Sequence, residues 1–137
     1  MFGAMLFSLN KSHHDYLNKN FKKYGINLIQ GLMILKLYDF PNTRQNELGE
    51  IFNLSKGSVA KYLAKLEEED LILREKMDNN QRMYKLSLQK KALDLVPKLL
   101  EISRDWENNS GLNDLNPEFI SEFKKLVDKS NEIGDIY

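Results

Sequence analysis

Apolar residues recur at helical spacing over most of this chain. Between residues 1 and 24 they fall every three or four positions, which predicts one helix with a single apolar face, capped by Gly25. Residues 27–39 are apolar on almost every side, which indicates a helix buried at the centre of the fold. Asn27 is a suitable N-cap for this second helix, and Pro41 prevents it from continuing.

Two short helices are predicted next, at residues 44–52 and 55–69. Helices that cross steeply need a small residue where their backbones meet, which Gly49 supplies, and a turn residue that tolerates positive φ, which is Asn53. Ser55 is a good N-cap for the second of these helices. The inner stripe of that helix consists of Val59, Tyr62, Leu63 and Leu66. Together these features predict a helix-turn-helix.

The segment that follows has the alternation of a β-hairpin. Residues 71–77 are predicted as one strand, residues 78–81 as a turn and residues 82–88 as the return strand. An isolated two-stranded hairpin is marginally stable in water, so this one has to pack on the helices. A hairpin directly after a helix-turn-helix is a wing, and residues 27–88 are therefore expected to form a winged helix-turn-helix lobe.

Two more helices are predicted after the wing. The first spans about residues 90–108 with a kink at Pro97, and the second begins at Asn116 and Pro117. Their apolar sides contain Leu93, Val96, Leu99, Leu100, Ser103 and Trp106 in the first helix, and Phe119, Ile120, Phe123, Leu126 and Val127 in the second. Residues 1–24 and 90–137 thus carry apolar stripes outside the winged helix, and stripes that one chain cannot cover usually form an interface.

The expected fold is therefore mainly α with a small β-hairpin. A winged helix-turn-helix lobe stands on a helical dimerisation base formed by the N-terminal and C-terminal helices. The chain has 137 residues, of which 42% are apolar and 29% charged, and this composition is that of a single soluble globular domain over residues 1–137.

Residue usage excludes several classes of chemistry. There is no cysteine, which excludes disulfides, thiolate metal sites and cysteine nucleophiles and makes a reduced cytoplasm the expected compartment. The longest apolar run, at residues 32–35, is too short to cross a membrane, and the N-terminus lacks the features of a secretory signal. No phosphate-binding glycine loop, zinc-protease motif or nucleophile elbow is found, so no enzymatic activity is expected.

The charges are balanced in number but unevenly placed. Residues 43–91 hold ten basic and eight acidic side chains, whereas residues 99–137 hold four basic and nine acidic ones. A basic middle on an acidic scaffold is a weak indication of a nucleic-acid surface. The acidic run at residues 67–70 is expected to be a solvated helix end.

The outward face of the second short helix gives the clearest indication of a function. It presents small residues between cations, namely Gly57, Ala60, Lys61, Ala64 and Lys65, with Lys56 and Ser58 beside them. Small side chains let a helix enter the roughly 12 Å wide major groove, where lysine and serine reach phosphates and base edges. The alternative is an ordinary solvated face that carries lysines.

Several segments, in this order and spacing, together resemble one family of proteins. The segments are Ile26-Asn27-Leu28-Ile29-Gln30, Gln45-Asn46-Glu47-Leu48, Leu54-Ser55-Lys56-Gly57-Ser58-Val59, Leu66-Glu67-Glu68-Glu69-Asp70-Leu71-Ile72-Leu73-Arg74, Asp78-Asn79-Asn80-Gln81-Arg82 and Leu86-Ser87. They resemble the motifs of the MarR family of bacterial and archaeal transcriptional regulators, over nearly the whole chain.

The resemblance implies a homodimer that offers one winged helix to each half of a palindromic site on double-stranded DNA, as a repressor. It also implies that small phenolic or aromatic effectors bind between the dimer base and the DNA-binding lobe and release the DNA. Three positions depart from the family pattern: Asn80 replaces the first wing arginine, and Asp70 and Lys90 stand where glycine is usual. The cysteine of peroxide-sensing members is absent.

These considerations assign roles to individual residues. The residues expected to contact DNA are Arg44, Gln45, Ser55, Lys56, Gly57, Ser58, Lys61, Lys65, Lys76 and Arg82. Arg74 and Asp78 are expected to pair and brace the wing. His13, Tyr16 and Trp106 are candidates for a ligand pocket, the alternative being structural side chains of the core or interface.

Metal and cofactor sites are not expected, because adjacent side chains such as His13 and His14 diverge on a helix. The remaining alternative function is a winged helix that binds another protein without specific DNA binding. That alternative predicts an apolar or acidic exposed face on the second short helix.

Overall fold

A computed structural model describes residues 1–77 and 80–136, and within these ranges it describes the side chains except those of residues 80–83, 135 and 136. The elements in chain order are α1 (Phe2–Phe21), a 3₁₀ turn (Lys22–Tyr24), α2 (Leu28–Asp39), α3 (Gln45–Phe52), α4 (Lys56–Glu68), β1 (Ile72–Met77), β2 (Asn80–Leu88), α5 (Lys90–Asn109), a 3₁₀ turn (Leu112–Asp114) and α6 (Phe119–Ile136). This mainly helical fold with one antiparallel hairpin confirms the predicted fold class.

The chain divides into two compact units. Residues 1–104 form the first and residues 105–137 the second. The first unit contains the whole winged helix. The predicted division into a lobe at residues 27–88 and a dimerisation region at residues 1–24 and 90–137 stays a prediction.

The junction between α1 and α2 is fixed by local hydrogen bonds. Gly25 adopts a left-handed conformation with φ of 78°, as expected for the residue that ends the first helical segment. Asn27 caps α2, since its Oδ1 accepts the N–H of Gln30 at 2.9 Å and its own N–H donates to Gln30 Oε1 at 3.0 Å. The chain therefore reverses sharply and lays α2 against α1.

Helix α2 is central to the first unit, as its all-round apolar character predicted. Met33, Ile34 and Leu37 are buried, and Gly31 packs directly against the ring of Phe21 from α1. The remaining core side chains come from α1, α3, α4, the bend before β1, both strands and α5, and include Leu17, Leu48, Val59, Leu63, Leu66, Leu71, Ile72, Leu86, Val96 and Leu99. The helix-turn-helix is thus anchored to the rest of the unit through its inner face.

The hairpin differs from the prediction at its tip. Residues 80 and 81 were expected in a turn, but β2 already begins at Asn80, which pairs with Met77 after a register shift in the ladder. Because Lys76 pairs with Tyr84 and Met77 with Asn80, residues 81–83 of β2 stand between two consecutive pairs, and the strand begins two residues closer to the tip than predicted. Residues 78 and 79 of the predicted turn lie outside the described residues.

Helix α5 corrects one assignment to the core. Leu93 was placed on the apolar side but its exposed fraction is 45%, whereas Ala92 and Ile102 are buried. The buried stripe runs through residues 92, 96, 99 and 102, so residue 93 lies about 100° away around the helix. The helix continues through Pro97 without a break.

Two departures from the family pattern have different structural outcomes. Asp70 keeps the positive φ expected of a glycine, at 60°, so the bend between α4 and β1 is retained. A side chain in this conformation costs about 1 kcal/mol, although aspartate tolerates it better than most residues. Lys90 instead takes a helical conformation as the first residue of α5.

Exposed apolar side chains are most numerous on α1 and α6. On α1 these are Phe2, Met5, Leu6, Phe7 and Leu9, and on α6 they are Phe119, Ile120, Leu126, Val127 and Ile133. Within the described residues, none of the helices has both the length and the apolarity that crossing a bilayer requires.

Replacing Gly31 by alanine is expected to lower the free energy of unfolding by about 1–3 kcal/mol, because the added methyl group would overlap the buried ring of Phe21. The gain in helix propensity, about 1 kcal/mol, works in the opposite direction. Urea unfolding followed by circular dichroism measures the change. Gly3→Ala, on a helix but in open space, is the control and should not destabilise the protein. Equal stability of the two variants would contradict the packing described here.

Candidate nucleic-acid interface

The turn between α3 and α4 has the geometry that the sequence predicted. A Cβ atom on Gly49 would lie 3.1 Å from the carbonyl oxygen of Leu54 in the turn and 3.5 Å from Cγ2 of Val59 in α4, so the turn and α4 both pack closely on this glycine. Asn53 adopts the left-handed conformation, with φ and ψ both 52°. The N–H of Leu54 then donates to the carbonyl of Gly49 at 2.8 Å and closes the turn.

The N-terminus of α4 is capped and open to solvent. Ser55 Oγ accepts the backbone N–H of Ser58 at 3.1 Å, as expected of an N-cap. Lys56 and Gly57, the first two residues of the helix, are exposed. A helix N-terminus attracts anions through its free N–H groups and its dipole, and here a lysine adds a full positive charge.

The predicted recognition face of α4 points to solvent. Lys61, Ala64 and Lys65 are exposed and Ala60 is partly exposed, whereas Val59, Leu63 and Leu66 on the other side are buried. Lys65 Nζ lies 3.5 Å from Glu69 Oε1, but the lysine side chain remains 57% exposed. The face is therefore accessible, small in profile and cationic, which is what insertion into a major groove requires.

A concave region joins the N-termini of α3 and α4 to the wing. Its volume is about 690 Å³, and its walls include Arg44, the N-cap of α3, Gln45 of α3, Lys56 of α4 and Tyr84 of β2. Arg44 is exposed, and its N–H donates to Glu47 Oε1 at 3.2 Å. Gln45 Oε1 is buried and has no hydrogen-bond partner among the described residues. The fold thus brings three predicted DNA contacts to one place.

Tyr84 was not singled out by the sequence. It is one of several alternating residues in β2, and only the folded hairpin places it beside α3 and α4. No local pattern in the sequence distinguishes it from its neighbours in the strand.

The wing presents cations on both strands. Lys76 of β1 and Lys85 of β2 are exposed, and Lys85 lies opposite Glu75 in the ladder. The side chain of Arg82 lies outside the described residues, so its expected contact with DNA stays a prediction.

Arg74 is bound at the base of the wing by Glu67. Its Nη2 lies 3.3 Å from Glu67 Oε1, and its backbone N–H donates to Glu67 Oε2 at 3.2 Å. Its guanidinium carbon also lies 5.4 Å from the centre of the Tyr84 ring. Glu67, expected in a solvated helix end, is 38% exposed and also holds this partner. Asp78, the expected partner of Arg74, is outside the described residues.

The candidates for a ligand pocket lie in different units. His13 and Tyr16 are half-buried on α1, and Trp106 belongs to the second unit, so the predicted pocket stays a prediction. The rings of His13 and His14 are 5.7 Å apart and tilted. Within the described part of the chain, no group of three or more histidine, cysteine, aspartate or glutamate side chains is placed to hold a metal ion.

Known proteins with similar sequences are transcriptional regulators. The sequence model of the MarR family matches residues 26–84, which include the helix-turn-helix and most of the wing. The regulator MgrA of Staphylococcus aureus is 28% identical over 114 residues, covering 83% of this chain and 76% of MgrA. The regulator MhqR of Bacillus subtilis is 22% identical over 122 residues, covering 89% of this chain and 73% of MhqR.

Solved structures of similar fold extend the likeness to nearly the whole chain. A MarR transcriptional regulator from Methanosarcina mazei has a TM-score of 0.82 and 22% identity, covering 97% of this chain and 95% of its own. The structure of S. aureus MepR in complex with DNA has a TM-score of 0.81 and 18% identity, covering 96% and 97%. Motifs and sequence relatives agree that residues 26–84 are a MarR-family domain, and the solved structures show the same fold over nearly the whole chain.

Proposed function

We propose that this protein is a sequence-specific regulator that binds double-stranded DNA as a homodimer, on a palindromic operator, and represses transcription. The observation that carries the proposal is the exposed face of α4, where Gly57, Ala60 and Ala64 lie among lysines. The solved complex of MepR with DNA, a protein of the same fold, supports it.

The chemistry of the α4 face matches a duplex. Glycine and alanine keep the helix narrow, so its backbone can approach the base edges closely. Lys61 and Lys65 extend from the same face and can reach phosphates, and the N-terminus of α4 offers free N–H groups to another phosphate. Because phosphate contacts position the protein, the small side chains and Ser58 are left to read the bases.

Dimerisation is supported by the exposed apolar residues of α1 and α6. The exposed fraction of Phe7 is 75%, and four other large apolar side chains of α1 are exposed as well. Apolar surface of this kind is usually covered by a partner, and a second copy would also double the number of phosphate contacts. With one winged helix on each half-site, the half-site centres would be about 34 Å apart.

The alternative of a protein-binding winged helix fits the exposed face less well. That function requires an apolar or acidic surface on α4, whereas the described surface is small and cationic. We further propose that a small phenolic or aromatic effector releases the DNA, with His13, Tyr16 and Trp106 as the candidate residues for its binding. A regulator of chromosomal DNA would act in the cytoplasm.

Replacing both Lys61 and Lys65 by glutamate should abolish DNA binding without unfolding the protein, since both side chains are exposed. The probe is a duplex selected by the wild-type protein from a random pool, and fluorescence anisotropy at 0.15 M salt, roughly physiological ionic strength, measures binding. The control, Lys19→Glu with Lys22→Glu, makes the same charge change on exposed residues outside the helix-turn-helix. Retained binding by the α4 variant would overturn the assignment of the recognition face.

The wild-type protein is expected to have twice the 16.1 kDa chain mass by light scattering at micromolar concentration. Leu126→Glu with Ile133→Glu should weaken the dimer roughly a hundredfold or more. Each chain would then have to bury two charged side chains in the interface in place of two apolar ones. Ser121→Glu with Lys125→Gln makes the same change in net charge on exposed residues of the opposite side of α6 and should leave the dimer intact. A monomeric wild-type protein would refute the dimer.

Salicylate, as a phenolic probe, is expected to displace the wild-type protein from the selected duplex in a mobility-shift assay. Trp106→Ala should raise the salicylate concentration needed while leaving DNA binding without salicylate unchanged. Tyr38→Ala, an exposed aromatic residue of α2, serves as the control. A shift that salicylate does not alter, up to its solubility limit, would refute regulation by phenols of this kind.

A further inference from the structure

We propose that Glu67, Arg74 and Tyr84 form a joint that holds the wing at a fixed orientation to the recognition helix α4. In this view Arg74 is a positioning residue and does not itself contact DNA. The inference rests on the proposed DNA-binding function and names residues that this function depends on.

The first link of the joint connects α4 to β1. Glu67 lies in the last turn of α4, and its two carboxylate oxygens are both used by Arg74. One oxygen accepts the backbone N–H of Arg74 at 3.2 Å, and the other lies 3.3 Å from the guanidinium Nη2. Because the Glu67 carboxylate holds both the main chain and the side chain of Arg74, it restrains the direction of β1 as well as balancing the charge of the guanidinium.

The second link connects β1 to β2 and to the front of the helix-turn-helix. The guanidinium of Arg74 lies over the ring of Tyr84, at 5.4 Å from its centre. Tyr84 in turn lines the same concave region as Gln45 and Lys56. The chain of contacts therefore runs from the end of α4, through both strands, to the surface that faces the proposed DNA.

Burial separates Arg74 from the cations that are available to DNA. The side chain of Arg74 is only 21% exposed, whereas Lys61 and Lys65 of α4 are exposed. Its Nε is buried and has no hydrogen-bond partner among the described residues. The contacts with Glu67 and Tyr84 therefore hold the guanidinium at the base of the wing, where little of it is exposed to a phosphate.

The joint lies next to a base that is already anchored. Leu71 N–H donates to the carbonyl of Leu66 at 2.9 Å, and Gln89 N–H donates to the carbonyl of Leu71 at 2.9 Å. These bonds fix where the two strands leave the helices. The link from Glu67 acts three residues farther along β1, where it determines how far the hairpin tilts.

Whether neutralising Glu67 strengthens or weakens DNA binding distinguishes a positioning role from a purely electrostatic one. DNA repels the Glu67 carboxylate, so its neutralisation would strengthen DNA binding if the residue acted only through its charge. If Glu67 holds the wing, the same neutralisation weakens binding, because wing cations such as Lys76 lose their phosphates.

The first experiment measures the affinity of Glu67→Gln for the duplex that the wild-type protein selects. We expect binding about tenfold weaker, within the range of couplings between contacting groups. The slope of log affinity against log salt should fall by about two, for one wing phosphate lost per protomer. Glu68→Gln makes the same charge change at the exposed neighbouring residue and should bind at least as tightly as wild type.

The second experiment is a double-mutant cycle between Glu67→Gln and Arg74→Met. Methionine keeps an unbranched apolar stem but removes the guanidinium. If the two residues act as one joint, each single variant and the double variant lose affinity to the same extent. Additive losses, or a loss only with Arg74→Met, would mean that Arg74 contacts DNA directly and would overturn the proposal.

A third pair of variants covers the case in which the first ones do not fold. Tyr84→Phe keeps the ring face under Arg74 and should keep wild-type affinity and salt slope. Tyr84→Leu removes it and should reduce both, with thermal melting as the check on folding. If the wild-type protein selects no duplex, the proposed function itself fails. If it does, and Glu67→Gln and Tyr84→Leu bind like wild type, only the joint is refuted.

Discussion

The proposed recognition surface depends on one close approach, between α3 and the turn that leads into α4. At Gly49 the two backbones lie so near each other that even a methyl group would press on the carbonyl oxygen of Leu54. This contact, together with the left-handed Asn53, fixes the crossing of the two helices. Because the inner face of α4 is then buried in the core, its outer face has only one direction in which to point. This constraint is therefore what presents the lysines and alanines of that face to solvent.

Much of this arrangement could be predicted from local sequence, because the signals are local. Asn27, Asn53 and Ser55 each act on backbone within a few residues, and each has the predicted conformation or cap. The errors arise where distant contacts decide. Leu93 has a place in an apolar stripe by spacing, yet it is exposed because the core meets α5 one residue earlier.

In the candidate site, too, the features set by local sequence could be predicted and those set by distant contacts could not. Exposure of the α4 face follows from helical periodicity, so its residues could be named from sequence alone. The role of Glu67 could not, since it lies in an acidic run that is solvated by default, and Arg74 meets it only after the chain has turned at Asp70. Tyr84 is placed by strand pairing, which no short motif encodes.

The ion pair between Lys65 and Glu69 bears on how tightly the protein would hold DNA. A lysine that already has a carboxylate 3.5 Å away carries part of its counter-charge within the chain. When a DNA phosphate takes that place, Glu69 has to give up the lysine, which lowers the affinity at every salt concentration. The salt slope still follows the number of phosphates contacted, because the released ions are those condensed on the DNA.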